Sequence, residues 1–442
     1  MMASRMHRHI FILLAVLALT ACSSWIGEEE SATLPGERTS ILDGGDQLVP
    51  DFALASRSAL LPPEQDIANW PQPRGSADHN PDHPSLPAII QKTFSENIGK
   101  GDSKIRRLSA EPIIANGSVF TLDASGKISS LDASSGHLNW QVRITPPEEA
   151  QETLGGGLAF DDGRLFATAG YRGLMALDPA NGGLIWKFMA PAPLRAAPVA
   201  SNGRVFIISL ANELFCLSTT DGQVLWKHAG ISETATLLGG STPAIGPDLV
   251  LAAYSSGEIY ALRVENGRVL WSDNLASGKQ TGGAGMMADI RGLPVLDRGL
   301  AIAVSNAGRI IAFDDRSGAR IWQREIGGMQ TPVAAGDHVF FLTSGQILSS
   351  LDRASGRVRW SIQLDSFEDM EDPVDPIFWL GPTLAGGRLF VASSDEQLLE
   401  ISPMTGDILR RHKLSSPLAV PPVAAGGTLY LLHRDGDLSS WR

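Results

Sequence analysis

The chain has 442 residues, 43% hydrophobic and 19% charged, with 46 Gly, only two Cys and a formal net charge of −12. So acidic a balance excludes a nucleic-acid surface built on bulk positive charge, and two cysteines exclude a disulfide-stapled fold. A long, glycine-rich chain with few charges suits a large β domain made by repetition, which escapes the size limit of a single core.

At the start, Arg5 and Arg8 precede an apolar run from Ile10 to Leu19, which is too short to span a bilayer and is closed by Leu19-Thr20-Ala21-Cys22. Small residues before a Cys at that place resemble the bacterial lipoprotein cleavage signal. Residues 1–21 therefore read as a lipoprotein signal peptide, with Cys22 carrying the lipid; an ordinary secretory signal beside an incidental Cys is the alternative. Buried acyl chains contribute roughly 0.8 kcal/mol per CH₂, so a multiply acylated terminus holds a protein on a membrane. Ser23 and Ser24 follow with no Asp beside the Cys, a pattern resembling outer-membrane sorting. Cys216 is then left without a disulfide partner, and its alternation with apolar neighbours marks it as a small buried hydrophobe.

Residues 22–90 differ in composition, with Glu28-Glu29-Glu30 and scattered Pro, and read mostly as a flexible linker. The stretch around Trp70 is expected to fold back along the wall of the domain that follows. His79 and His83 would form a metal pair on a helix, but Pro81 and Pro84 forbid that helix.

From residue 91 one unit is written repeatedly. Pro112 to Trp140, Pro198 to Trp226, Pro243 to Trp271, Pro294 to Trp322 and Pro332 to Trp360 each span 28 positions, and Leu158 to Trp186 keeps the length with Leu for Pro. A seventh unit, Pro382 to Arg410, ends in Arg, and a Gly stands 24 positions after each start, from Gly136 to Gly406. Alternating β-branched runs separated by Gly, Asn and Asp predict four short strands per unit, joined by hairpins. Such a sheet cannot bury both faces alone and needs a copy on either side. Trp140, Trp186, Trp226, Trp271, Trp322 and Trp360 are expected to fill the wedges between sheets, burying roughly 150–250 Å² each. An eighth unit begins at Pro422 and stops before its Trp strand. The stretch Thr93–Ile98 is expected to supply that strand and hide both edges. The expectation is an all-β, eight-bladed β-propeller over residues 91–442, closed by an N-terminal strand in the last blade.

Spacing is fixed within units and variable between them, and the joints all emerge on one face, where recognition usually sits. Two joints stand out: Ser232–Gly240, with Leu237 and Leu238 ahead of Gly239, and Gly278–Arg291, with flexible glycines before Met286-Met287 and then Asp289 and Arg291. Each is either a partner-binding loop or a loop packed on the propeller face. A third joint, Asp365 to Asp375, is acidic and reads as solvated charge, with calcium as the alternative.

Reactive chemistry is not legible. Ser277-Gly278-Lys279 lacks the companions of a phosphate loop, His433-Arg434-Asp435 imitates a kinase triplet inside a β-hairpin, and no nucleophile stands with a base. No catalytic residue, metal or cofactor is predicted.

The repeat, with Leu-Asp, Gly and Trp at these spacings, resembles the pyrroloquinoline-quinone repeat of quinoprotein propellers. Two families share it, the quinoprotein dehydrogenases and the BamB lipoproteins. The dehydrogenases pair adjacent Cys residues over the cofactor and hold calcium, and this chain has no adjacent Cys pair. The lipidated N-terminus, eight units, N-terminal strand closure and ending within the last blade resemble the BamB family instead. That resemblance implies a non-enzymatic, monomeric scaffold, lipid-anchored to the outer membrane on its periplasmic face. Its implied partners are the periplasmic (POTRA) domains of BamA, other Bam subunits and nascent outer-membrane proteins. A periplasmic quinoprotein dehydrogenase is the alternative.

The family contacts BamA through two inter-blade loops. A family Leu-x-Leu-Arg-Gly pattern falls on Ala235-Thr236-Leu237-Leu238-Gly239, and a family Asp-x-Asp falls on Asp289-Ile290-Arg291. Leu237, Gly239 and Asp289 keep the pattern; Ala235, Leu238 and Arg291 depart from it, and two of these departures change charge.

Overall fold

Each repeat folds as a four-stranded antiparallel meander, and there are eight such sheets. The computed structural model describes residues 48–55, 59–146, 154–232, 240–275, 290–306, 308–369 and 374–442. Asp46–Arg442 form one compact unit, and the other, Met1–Gly45, lies outside the described residues.

Blade 1 illustrates how sequence makes the meander. Its strands are Ile113–Ala115, Ser118–Leu122, Lys127–Asp132 and Leu138–Arg143. Asn116 and Gly117, at φ 52° and 76°, close the first hairpin with two left-handed residues, the geometry whose twist matches the strands. At the next corner but one the recurrent Leu-Asp acquires its meaning. Leu131 is buried, whereas the Asp132 carboxylate accepts the amides and hydroxyls of Ser134 and Ser135, which hold its pKa down at about 2. Asp314 with Ser317 and Asp352 with Ser355 repeat the device.

Burial falls from the fully buried first strand to the alternating, largely exposed fourth, and first strands of successive blades touch one another around the axis. Between blades the fourth-strand Trp reaches forward. Trp140 Nε1 donates to the Pro179 carbonyl at 2.9 Å, and Trp186, Trp226, Trp271, Trp322 and Trp360 do the same to Thr219, Val264, Asp315, Arg353 and Pro403. The indole lies on the turn glycine of that next blade: a Cβ on Gly182, Gly222, Gly267, Gly318, Gly356 or Gly406 would come within 2.6–2.8 Å of a Trp carbon. The conserved spacing of Gly and Trp within one repeat is thus a contact between two repeats.

Strand Lys92–Asn97 pairs antiparallel with Asp437–Trp441 and closes the ring as the fourth strand of blade 8. Phe94 lies opposite Ser440, as Trp140 lies opposite Ser130. Blade 7 departs from the rule. Arg410 occupies the Trp register opposite Glu400, and the fully buried Glu400 carboxylate accepts from Arg388 (2.8 Å), Arg410 (3.0 Å) and His412 (2.8 Å). Both guanidinium groups also donate to the Ala88 carbonyl. Blade 8 ends without a turn glycine for an indole to lie on, and an ion cluster fills that interface.

The stretch read as linker is built into the propeller over its described part. Leu48 and Asp51 pair with the outer edge of blade 6 through Ser361 and Val358. Residues 60–85 then form a strap across the propeller centre, on the first strands and first-hairpin turns and not along the outer wall. Leu60 bonds Asp337 of blade 6, Ile67 bonds Gly426 of blade 8, Trp70 pairs with Ile114 of blade 1, and Pro71 bonds Phe160 of blade 2. The Gln72 side chain spans Phe160 and Ala200 of blades 2 and 3. Ala77 bonds Ile245 of blade 4, Asp78 bonds Leu296 of blade 5, and Pro84 bonds Gly386 of blade 7. All eight blades are held, and Trp70 is only 1% exposed.

Candidate functional site

Alternating strand direction puts the first and third hairpin turns on one face of the ring, and the second turns and inter-blade joints on the other. The strap covers the first face at the axis. The axial channel is therefore a blind funnel that opens among the joints, with a volume of about 510 Å³ and Pro73 and Arg74 in its lining. Every joint contributes to its wall, including the one from the closing strand into blade 1.

Its chemistry is cationic. Arg74, from the strap, is 4% exposed and adopts φ 58° beside Gly75 at φ 96°. Its guanidinium donates to the Pro382 carbonyl at 2.7 Å and stands 3.9 Å from Glu111, whose other oxygen accepts the Arg74 amide at 2.9 Å. Burial lowers the Arg74 pKa and Glu111 opposes that shift. Arg107, Arg195, Arg291 and Arg434 line the walls, and Asp102 is the second carboxylate. Asp102 is engaged by Arg107 at 3.1 Å, the Leu108 amide at 2.7 Å and, more distantly, Arg434 at 3.9 Å.

The sequence-predicted partner loops flank blade 4 on this same face. Leu237, Leu238, Gly239 and Asp289 lie outside the described residues, as does Cys22. The flanks are described: Thr242 donates to the Ala197 carbonyl at 3.0 Å, Ile290 is fully buried, and Arg291 is exposed with Nη1 4.0 Å from Met329 Sδ. Gly240 and Arg291 both line the funnel, so the two joints meet on one rim.

Other sequence candidates prove structural. His79 Nδ1 bonds the Pro294 carbonyl, and His83 bonds the Pro62 carbonyl and the Gly387 amide; both are strap fasteners. Cys216 is buried opposite Trp226, and burial pushes its thiol up to about 12, as an unreactive core residue requires. Among the described residues no group of three potential ligands could hold a metal ion. The geometry adds Arg74, Arg107 and Arg195, which come from the strap and separate joints, and Arg434, which sits on the second hairpin turn of blade 8 and in sequence looks like part of an accidental His433-Arg434-Asp435 triplet.

The family model of outer membrane protein assembly factor BamB matches residues 124–362 and 363–441. The chain belongs to the BamB family. Relatives include the BamB of Burkholderia pseudomallei, 24% identical over 80% of this chain and 88% of its own length, and that of Yersinia pestis, 22% identical over 87% and 95%. The crystal structure of BamB from Moraxella catarrhalis superposes with a TM-score of 0.68 at 19% identity, covering 80% of this chain and all of that one. The quinohemoprotein alcohol dehydrogenase of Comamonas testosteroni superposes with a TM-score of 0.65 at 13% identity, covering 89% and 82%. At that identity the likeness is one of fold alone. The eight-bladed BamB-type propeller predicted from the repeat, with its N-terminal closing strand, is the architecture found.

Proposed function

We propose that this chain is a non-enzymatic scaffold of the outer-membrane β-barrel assembly complex, anchored through lipid at Cys22 and facing the periplasm. The observation that carries the reading is membership of the BamB family together with a rigid ring that gathers its variable joints on one face. Those joints, with Leu237, Leu238 and Gly239 entering blade 4 and Asp289 and Arg291 leaving it, dock on the POTRA domains of BamA. The changed charges at Leu238 and Arg291 are re-coded with the partner surface.

The outer wall supports a second contact of the same scaffold, with nascent outer-membrane strands. Apolar residues just ahead of the Trp position are exposed on the fourth strands, among them Leu184 and Ile185, Val224 and Leu225, Val269 and Leu270. Fourth strands are sheet edges, which can accept an added strand. Blade 6 is the exception, since Leu48 and Asp51 already sit on its edge.

Co-purification tests the docking surface. Leu237→Glu with Leu238→Glu should abolish recovery of BamA from solubilised membranes while the protein keeps its circular dichroism spectrum; undiminished recovery would reject these joints as the contact.

A further inference from the structure

The funnel has a charge that neither the fold nor the scaffold reading explains. Among the described residues its wall and floor carry five guanidinium groups and two carboxylates; setting aside Arg291, which is engaged, the other four still exceed the carboxylates by two, in a chain whose formal net charge is −12. Neither carboxylate is spare: Asp102 is engaged by Arg107 and the Leu108 amide, and Glu111 by the amide and guanidinium of Arg74.

Arg107, Arg291 and Arg434 keep contact with solvent, but the Arg74 guanidinium is out of water, which is costly unless an anion or a set of carbonyls replaces the hydration. Here the replacement is incomplete, because Arg195 Nε is buried without a hydrogen-bond partner, and burial weighs against the charged form of Arg74. All five cations are Arg, whose planar fork pairs two donors with the two oxygens of a carboxylate or phosphate. A blind cavity with protein walls strengthens such contacts by focusing the field. Its volume of about 510 Å³ falls within the range of small-molecule sites.

We propose that the axial funnel binds a small polyanion bearing two or more ionised carboxylate or phosphate groups. Arg195 and Arg434 hold it from the walls, and Arg74 presents positive charge from the floor. Glu111 competes with the ligand for Arg74. The holders Arg74, Arg195 and Arg434 are distinct from the residues proposed for docking, and Arg291 on the shared rim is common to both.

Calorimetric titration of the purified full-length protein in detergent tests this, with pyrophosphate and citrate as probes and acetate at matched ionic strength as the control. One saturable site for pyrophosphate or citrate and none for acetate is expected, and the tighter probe identifies the headgroup chemistry. Arg195→Gln and Arg434→Gln should each weaken binding about tenfold, the loss of one charge-assisted contact. Arg195→Lys, which retains charge without the fork, should fall between wild type and Arg195→Gln even if a glutamine variant folds poorly. Glu111→Gln should tighten binding by removing the competing carboxylate. A response to acetate equal to that to the polyanions, or affinities unmoved by all the substitutions, would overturn the proposal.

Discussion

Phe94 lies against Gly136: a Cβ on that glycine would sit 2.6 Å from Cδ2 of the phenylalanine ring. It is the same relationship that each Trp makes with the glycine of the next blade, here made by a residue that precedes the first repeat in sequence. Phe94→Trp should therefore be tolerated, since the register already matches. Phe94→Ala should cost about 2–3 kcal/mol, less than a full core truncation because the ring is half-buried. Gly136→Val should cost more, because it adds both a clash and a side chain at φ 76°. Denaturant unfolding of the three variants checks the order.

The Glu400 cluster predicts an acid-sensitive interface between blades 7 and 8. Burial alone would raise the Glu400 pKa, but hydrogen bonds from His412 and Arg388, with Arg410 in support, bring it down to about 2. Stability from this group is complete above the ordinary glutamate range and is lost as pH falls toward 2. Glu400→Ala leaves the Arg388 guanidinium, 6% exposed, without its partner, and should cost about 3–5 kcal/mol at neutral pH. Urea midpoints at pH 7 and pH 3 should differ less in that variant than in the wild type.

Two histidines set a second, higher window. Burial pushes His79 down to about 4 against the opposing bond to the Pro294 carbonyl, and pushes His338 down to about 4 with Arg359 adding to the effect. Both are neutral when folded but take up protons in the unfolded chain from about pH 6.5 downward. Their contribution is therefore whole above about 6.5 and declines from there to about 4. Asn in place of His79 keeps an amide donor for Pro294 and should flatten the decline in melting temperature between pH 6.5 and 4.5. An unchanged slope would count against His79 as a source.

Trp70 holds the strap to blade 1 at Ile114. Trp70→Ala should cost about 3–5 kcal/mol, as for a buried aromatic. It should also raise amide exchange at Gly426, Phe160 and Ala200, whose amides bond to neighbouring strap groups. Mass-resolved hydrogen exchange of these peptides against those of the outer strands checks that the loss is central.

The ring was legible because its signals are local and repeated. Leu-Asp must cap a turn, Gly136 and its equivalents must take positive φ, and a large aromatic must cover the next turn, so each repeat restates the same constraints at the same spacing. The strap was illegible for the opposite reason. Residues 60–85 carry no periodicity, and Pro-rich polar sequence resembles an unpacked linker, yet its main-chain groups and the Gln72 side chain find partners on the first strands and first turns of all eight blades. The funnel arginines were hidden similarly, since Arg74 and Arg434 are 360 positions apart and only ring closure brings them together. Trp and Gly look in sequence like members of one unit, although the contact that fixes their spacing crosses to the next.

The strap also acts as a tally. Repeat arrays commonly gain or lose modules by duplication and deletion, but a chain segment that bonds to every blade has a fixed number of berths. A seven- or nine-membered version of this ring would leave strap amides and carbonyls unmatched, so lineages inheriting the strap are held to eight.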